Sequence, residues 1–298
     1  MHAPVREWFF QEDVVWLFAP KLEMTSPRRN LPDFESPPLT EVLISVQFDP
    51  LPGLQVPQIG LFWSKIRDRF PHTEQHAPVD PVNERFGPPA PPQIQVALSQ
   101  LPPMLRTWFL NDDGSELIQI QADRFMHNWR KVEIQDAYPR YEYVRSQFVR
   151  GISEFCGFLE EEEIGSIRPT QCEVSYINHI EPNEIWKSHS RIGEVISAWN
   201  PSKLEEASPD IESVGIVMQQ LIIDEGSKPV GRLHISAQPA YRTNSREPLI
   251  VLSLTARGAP AEPTIEGILE FADRGRDEIV RGFASVTTPT MHKYWRRT

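Results

Sequence analysis

Apolar residues recur along this chain with two alternating periods. Ile59, Phe62, Trp63, Ile66 and Phe70 fall three to four residues apart, which predicts an amphipathic helix. Val144, Phe148, Ile152, Phe155, Cys156 and Leu159 give the same stripe to a second helix over 143–159. Ile265, Ile268, Leu269, Ala272, Ile279, Val280 and Phe283 give it to a third, for which Thr264 can supply the N-cap oxygen. A shorter helix is predicted over 191–199. Between these segments the period falls to two. Over 249–257, Ile250, Leu252, Leu254 and Ala256 face one way and Val251, Ser253, Thr255 and Arg257 the other. Further strands are predicted from Glu41 onward and over 93–99, 105–110, 117–130, 173–180, 213–223 and 230–237. The sequence "NDDGS" at 111–115 is a hairpin signal, and the proline-rich stretch over 71–92 reads as a long loop.

These elements run β-α-β-β-β-α twice. "EVLISVQFDP" at 41–50 returns as "EVSYINHIEP" 132 positions later, and Glu41 to Leu117 spans 76 residues, as does Glu173 to Leu249. The expected fold is therefore α+β: a tandem duplication of a β-α-β-β-β-α unit, with antiparallel sheets, helices on one face and a pseudo-twofold axis. The units are placed at 35–165 and 166–298, the second ending in a basic and aromatic surface tail. Residues 1–34 form an N-terminal arm and linker, with Trp8, Phe9, Phe10, Trp16 and Phe18 as candidate partner contacts.

Composition narrows the classes of function. With 298 residues, 40% of them hydrophobic, the chain can bury a proper core. A net charge of −11 and a pI near 5.3 disfavour nucleic acid and anionic membranes, whose binding needs clustered cations. The arm carries Glu7, Glu12 and Asp13, so it reads neither as a signal peptide nor as a membrane span. Cys156 and Cys172 lack paired spacing and read as reduced core thiols of a cytoplasmic protein.

The richest chemistry lies in "DRFMHNWRK" at 123–131, "YPRYEYVR" at 138–145 and "YINHI" at 176–180. Period two puts Phe125, His127 and Trp129 on one strand face and Arg124, Met126, Asn128 and Arg130 on the other. Arg124, Asn128, Arg130 and Asn178 together would suit a carboxylate or phosphate. His127, Trp129, Tyr141 and His179 complete the candidate ligand site. No metal or other cofactor is expected. His127 and His179 lack further ligands, and Glu173 lies about 20 Å along the strand from His179. His72, His76 and His189 read as solvated, and Glu160–Glu163 as a charged helix end. The chain has no nucleophile elbow, phosphate loop or dinucleotide fingerprint.

The segments "PPLTEVLISVQFDPLPGL", "LFWSKIRDRFP", "IQIQADRFMHNWRK", "YPRYEYV" and "VSYINHI" resemble a sporadically distributed, functionally uncharacterised family of bacterial proteins, over about residues 35–285. The resemblance implies no established activity, cofactor or catalytic residue. Three functional readings follow. The first is a non-enzymatic binding or adaptor module that receives a protein or peptide in an inter-repeat groove or on a sheet edge. The second is a sensor or enzyme for a small anionic ligand. The third is a regulator in a bacterial defence or nucleic-acid-linked system.

Overall fold

The computed structural model describes residues 31–87, 105–133, 136–200 and 211–298. The arm with Trp8, Phe9, Phe10, Trp16 and Phe18, and the strand expected over 93–99, lie outside them. The described strands are β1 (Leu39–Phe48), β2 (His72–His76), β3 (Arg106–Leu110), β4 (Glu116–Gln121), β5 (Arg124–Arg130), β6 (Pro169–Ile180), β7 (Ile216–Ile223), β8 (Pro229–Tyr241) and β9 (Pro248–Gly258). The helices are α1 (Val56–Ile66), α2 (Tyr141–Glu161), α3 (Ile265–Val286) and α4 (Pro289–Tyr294). All nine strands join one antiparallel sheet in the order β2-β3-β4-β5-β1-β6-β9-β8-β7.

The pairing of β1 with β6 is the seam of this sheet. Leu43 stands opposite Ser175, the residue 132 positions later, and Val42–Tyr176 and Ile44–Val174 flank that pair. Outward from β1 come β5, β4 and β3; outward from β6 come β9, β8 and β7. The equal 76-residue spacing does not carry into this order. Leu117 belongs to β4, which β5 separates from the seam, whereas Leu249 belongs to β9, directly beside β6. The stretch expected as one strand over 117–130 turns back at Ala122 and Asp123, with Gln121 paired to Arg124.

One face of the sheet carries the helices. α2 lies over β5 and β1, and α3 over β6, β9 and β8. Val42, Ile44, Phe125, Val174 and Leu254 are fully buried beneath them, against Phe148, Phe155, Ile268 and Ile279. Each such side chain contributes roughly 1.5–3 kcal/mol on burial. Gly231 and Gly258 pair across β8 and β9. A Cβ on Gly258 would stand 2.6 Å from the Phe271 ring and 2.3 Å from the Val230 carbonyl oxygen, so the bare backbone admits the aromatic ring of α3. Across the seam, Tyr141 and Arg145 of α2 both donate to Asp273 of α3, and Tyr138 meets Tyr176 hydroxyl to hydroxyl at 3.0 Å.

Three local differences from expectation have simple causes. β2, with sequence HTEQH, is almost wholly exposed and polar, so it carries no apolar period; its backbone ladder with β3 holds it at the sheet edge. The helix expected over 191–199 is a 3-10 turn at His189–Glu194, and His189 is buried there, its Nε2 3.0 Å from the Leu249 carbonyl oxygen. The C-terminal residues are not a surface tail. α4 follows a Thr288 cap and buries Met291, and Trp295 packs beside Phe283 and Phe34. Thr264 caps α3 as expected, accepting from the Gly267 amide.

Candidate functional site

Strand alternation leaves the second sheet face polar. Ser45 and Gln47 of β1 alternate with buried Ile44 and Val46, Gln171 and Glu173 of β6 with Cys172 and Val174, and Arg232 and His234 of β8 with Leu233 and Ile235. Among the described elements no helix covers this face. It is crossed instead by residues 78–86, which leave β2 without regular secondary structure and run transverse to the strands. Pro78 and Pro81 remove two amide donors from this segment and disfavour a helix.

Side chains of successive strands meet the segment in order. Gln121 of β4 accepts from the Val79 amide at 3.0 Å and donates to its carbonyl at 2.9 Å. Arg124 of β5 donates to the Asp80 carbonyl at 3.2 Å. On β1, Gln47 Oε1 accepts from the Val82 amide at 3.0 Å, while its Nε2 donates to the Asn83 side chain at 3.3 Å. Gln171 of β6 accepts from the Glu84 amide at 3.3 Å. A primary amide suits this task because it both donates and accepts, matching a peptide unit.

The segment ends in a charge cluster beyond the seam. The Glu84 side chain is 5% exposed. Its carboxylate accepts from Arg232 Nη1, lies 2.6 Å from His234 Nε2 and stands 3.6 Å from Arg257 Nη1. Arg232 also donates to the Arg85 carbonyl at 3.1 Å and stacks over the Phe86 ring. Arg257 in turn donates to Glu173 at 2.7 Å. Between Arg124 and Arg257 an open recess is lined by Ser45, Gln47, Val82 and Glu173.

Arg124 carries unused capacity within this recess. It is 6% exposed and donates to Gln47 Oε1 at 2.7 Å, but its Nε has no partner, and no carboxylate lies within ion-pairing distance of it among the described residues. Burial lowers the pKa of its guanidinium, Asp123 and Glu173 act against that, and Arg257 adds to it.

The other sequence-predicted residues do not converge with Arg124. Asn128 and Arg130 share its face but are occupied locally. Asn128 bridges Gln119 and Glu41, and Arg130 donates to the Gly114 carbonyl at 2.7 Å. Burial raises the pKa of Glu41, against the Asn128 hydrogen bond and the charge of Arg130. His179 lies half-buried farther along the polar face, its pKa lowered by burial and by Arg242. Asn178 is on the opposite, helix-covered face and donates to the Leu252 carbonyl at 3.0 Å; the expected grouping with Arg124, Asn128 and Arg130 is corrected by the strand register. Tyr141 belongs to the helix layer, where it is bound to Asp273.

His127 and Trp129 also lie under the helices. Trp129 packs against Tyr138, with ring centroids 5.4 Å apart. His127 is 1% exposed, and burial lowers its pKa to about 3, with a smaller contribution from Arg69. Its Nε2 is 3.5 Å from Glu116, yet the imidazole is neutral and neither ring nitrogen makes a hydrogen bond, so the contact is not an ion pair. Burial also raises the thiol of Cys172 to about 12 and that of Cys156 to about 11, leaving both protonated at neutral pH. Among the described residues, no group of three His, Cys, Asp or Glu side chains could hold a metal ion, and no helix is long and apolar enough to cross a membrane.

Sequence reasoning passed over Gln47, Gln121, Gln171, Arg232, His234 and Arg257, although each occupies a polar slot in an alternating strand. Glu84 had no comparable signal, because its proline-rich segment has no period. Comparison with family models, with curated proteins and with solved structures finds no match to this chain.

Proposed function

We propose that this protein is a non-enzymatic binding module that receives an extended segment of a protein partner on its polar sheet face, astride the β1–β6 seam. One observation carries this reading. The face already holds a peptide segment, with side-chain amides on its backbone and a cation cluster around its carboxylate. Recognition of backbone by side chains is tolerant of sequence, and a charged pocket adds selectivity. We further infer that the seam arose by tandem duplication of a β-α-β-β-β-α unit, within the bacterial family that the chain resembles. The Leu43–Ser175 register and the outward strand order support that inference.

A second reading, a small anionic ligand in the recess, draws on Arg124 and its unpaired Nε. Affinity capture from the native host, with mass spectrometry of proteins and small molecules, separates the two. The capture is run in parallel with a variant carrying Arg232→Glu and Arg257→Glu. A stoichiometric protein present on the native bait and lost on the variant is the expected result. A metabolite with no such protein favours the second reading.

A further inference from the structure

We propose that residues 78–86 are an internal ligand, and that the partner segment displacing them is acidic, placing an Asp or Glu carboxylate among Arg232, His234 and Arg257. This inference rests on the binding-face reading and specifies both its ligand and its regulation. The segment is attached mainly through its backbone and one buried side chain. Val82 and Phe86 remain 38% and 41% exposed, and Asp80, Pro81 and Asn83 are exposed as well, so little apolar area holds it down. A different extended peptide could satisfy the same Gln47, Gln121 and Gln171 amides.

The charge balance selects the class of peptide. Arg124, Arg232 and Arg257 project from the polar face beside His234; Glu84 and Glu173 pair with Arg232, His234 and Arg257, and the charges of Asp123 and Glu173 act on Arg124 from beyond ion-pairing distance. Arg124 is left without a carboxylate partner among the described residues. An incoming peptide with a second acidic residue toward its N-terminal end, where the Asp80 carbonyl now sits, would reach Arg124. The chain as a whole carries a net charge of −11, so a local cluster of three arginines is a place where an acidic partner is attracted rather than repelled. Being tethered, the internal segment competes at high effective concentration, and an external peptide binds in proportion to the fraction of molecules in which the site is free.

The test uses a fluorescent synthetic peptide with the sequence of residues 77–87, titrated by anisotropy against the full chain and its variants. Glu84→Gln in the protein weakens the internal ligand and should tighten peptide binding by about tenfold or more relative to the native protein. Val82→Pro, which removes the amide that donates to Gln47, should act in the same direction without touching the charge cluster, and it decides the matter if Glu84→Gln melts the sheet. Arg257→Glu added to either variant should abolish binding, as should Glu84→Gln made in the peptide. Equal affinity for native protein and both variants, or no binding to any of them, overturns the internal-ligand proposal. So does displacement of the peptide by a simple dicarboxylate at equal concentration. If the peptide titration fails in either of these ways while native protein and both variants capture equally a host protein that Arg232→Glu/Arg257→Glu loses, the binding face stands and the internal ligand falls.

Discussion

Glu84 Oε1 lies 2.6 Å from His234 Nε2, a direct polar contact between the crossing segment and β8. Through this contact a segment without regular structure is tied to the second-outermost strand on the far side of the seam. The Glu84 side chain is the more deeply enclosed partner, at 5% exposed against 19% for Arg232 and 21% for Arg257. Replacing Glu84 by Gln would leave these cations facing a neutral amide. We expect a loss of about 1–3 kcal/mol in unfolding free energy, measured by chemical denaturation. A double-mutant cycle with Arg232→Gln should give a coupling of about 1 kcal/mol or more; strict additivity would show that the cluster does not act as a unit.

Gln47 Oε1 accepts from both Arg124 and the Val82 amide. Gln47→Leu removes an acceptor from a buried guanidinium and from the crossing segment together. A destabilisation of about 2–3 kcal/mol is expected, larger than for Gln171→Leu, which strips one acceptor from the segment backbone. Equal losses for the two variants would mean that Arg124 does not depend on Gln47.

His127 gives the fold a pH dependence of definite sign. Burial depresses its folded pKa to about 3 from the ordinary 6.5, so its contribution is intact above the unfolded pKa and lost as pH falls through the window between them. On this basis alone stability should fall by about 2 kcal/mol from pH 6.5 to about pH 5. Glu41 and Glu116 oppose the trend, because burial raises their folded pKa values and their buried charge ceases to cost stability as pH falls. The decisive comparison is the difference in denaturation free energy between native protein and His127→Leu across that window. A gap that does not change with pH would show that His127 titrates normally in the folded chain.

Gly258→Ala should be among the costliest single-methyl additions in the sheet. The new Cβ would meet the Val230 carbonyl and the Phe271 ring at once, and neither can withdraw without moving β8 or α3. A drop of about 2 kcal/mol or more is expected, from thermal or chemical unfolding. At Gly157, where an added Cβ meets nothing within 4 Å, the same change should be neutral or slightly stabilising.

How much of this was readable from the chain depended on burial. Where one face is covered, as in β9, apolar period and observed burial coincide residue by residue, because exposure of either set to the wrong side would be costly; in α3, Ile268, Leu269, Ala272, Ile279 and Phe283 are buried as expected, while Ile265 and Val280 are half-buried and Phe271 and Val286 join the core instead. β2 was missed because an exposed edge strand needs only backbone partners. The break between β4 and β5 was missed because Ile120 and Phe125 are both buried on either side of a two-residue turn, so apolar content continues through it. For the site, the polar slots of β1, β6, β8 and β9 were legible as positions but not as a set, since which strands become neighbours is decided by long-range pairing. Grouping Asn178 with Arg124 failed for that reason: the registers of β5 and β6 against β1 put the two side chains on opposite faces. Glu84 was beyond reach because nothing local marks where an irregular segment will land.

Backbone amide exchange of Val79, Val82 and Glu84, followed by NMR on the isotope-labelled full chain as the unlabelled 77–87 peptide is added, reports most directly on whether the polar face is a peptide site held by its own segment. Exchange at these three amides should accelerate as peptide saturates the site, while Val42, Ile44 and Val174 at the seam stay protected. Unchanged protection of Val79, Val82 and Glu84 at saturating peptide would contradict displacement, and with it the reading of this face as an occupied binding site.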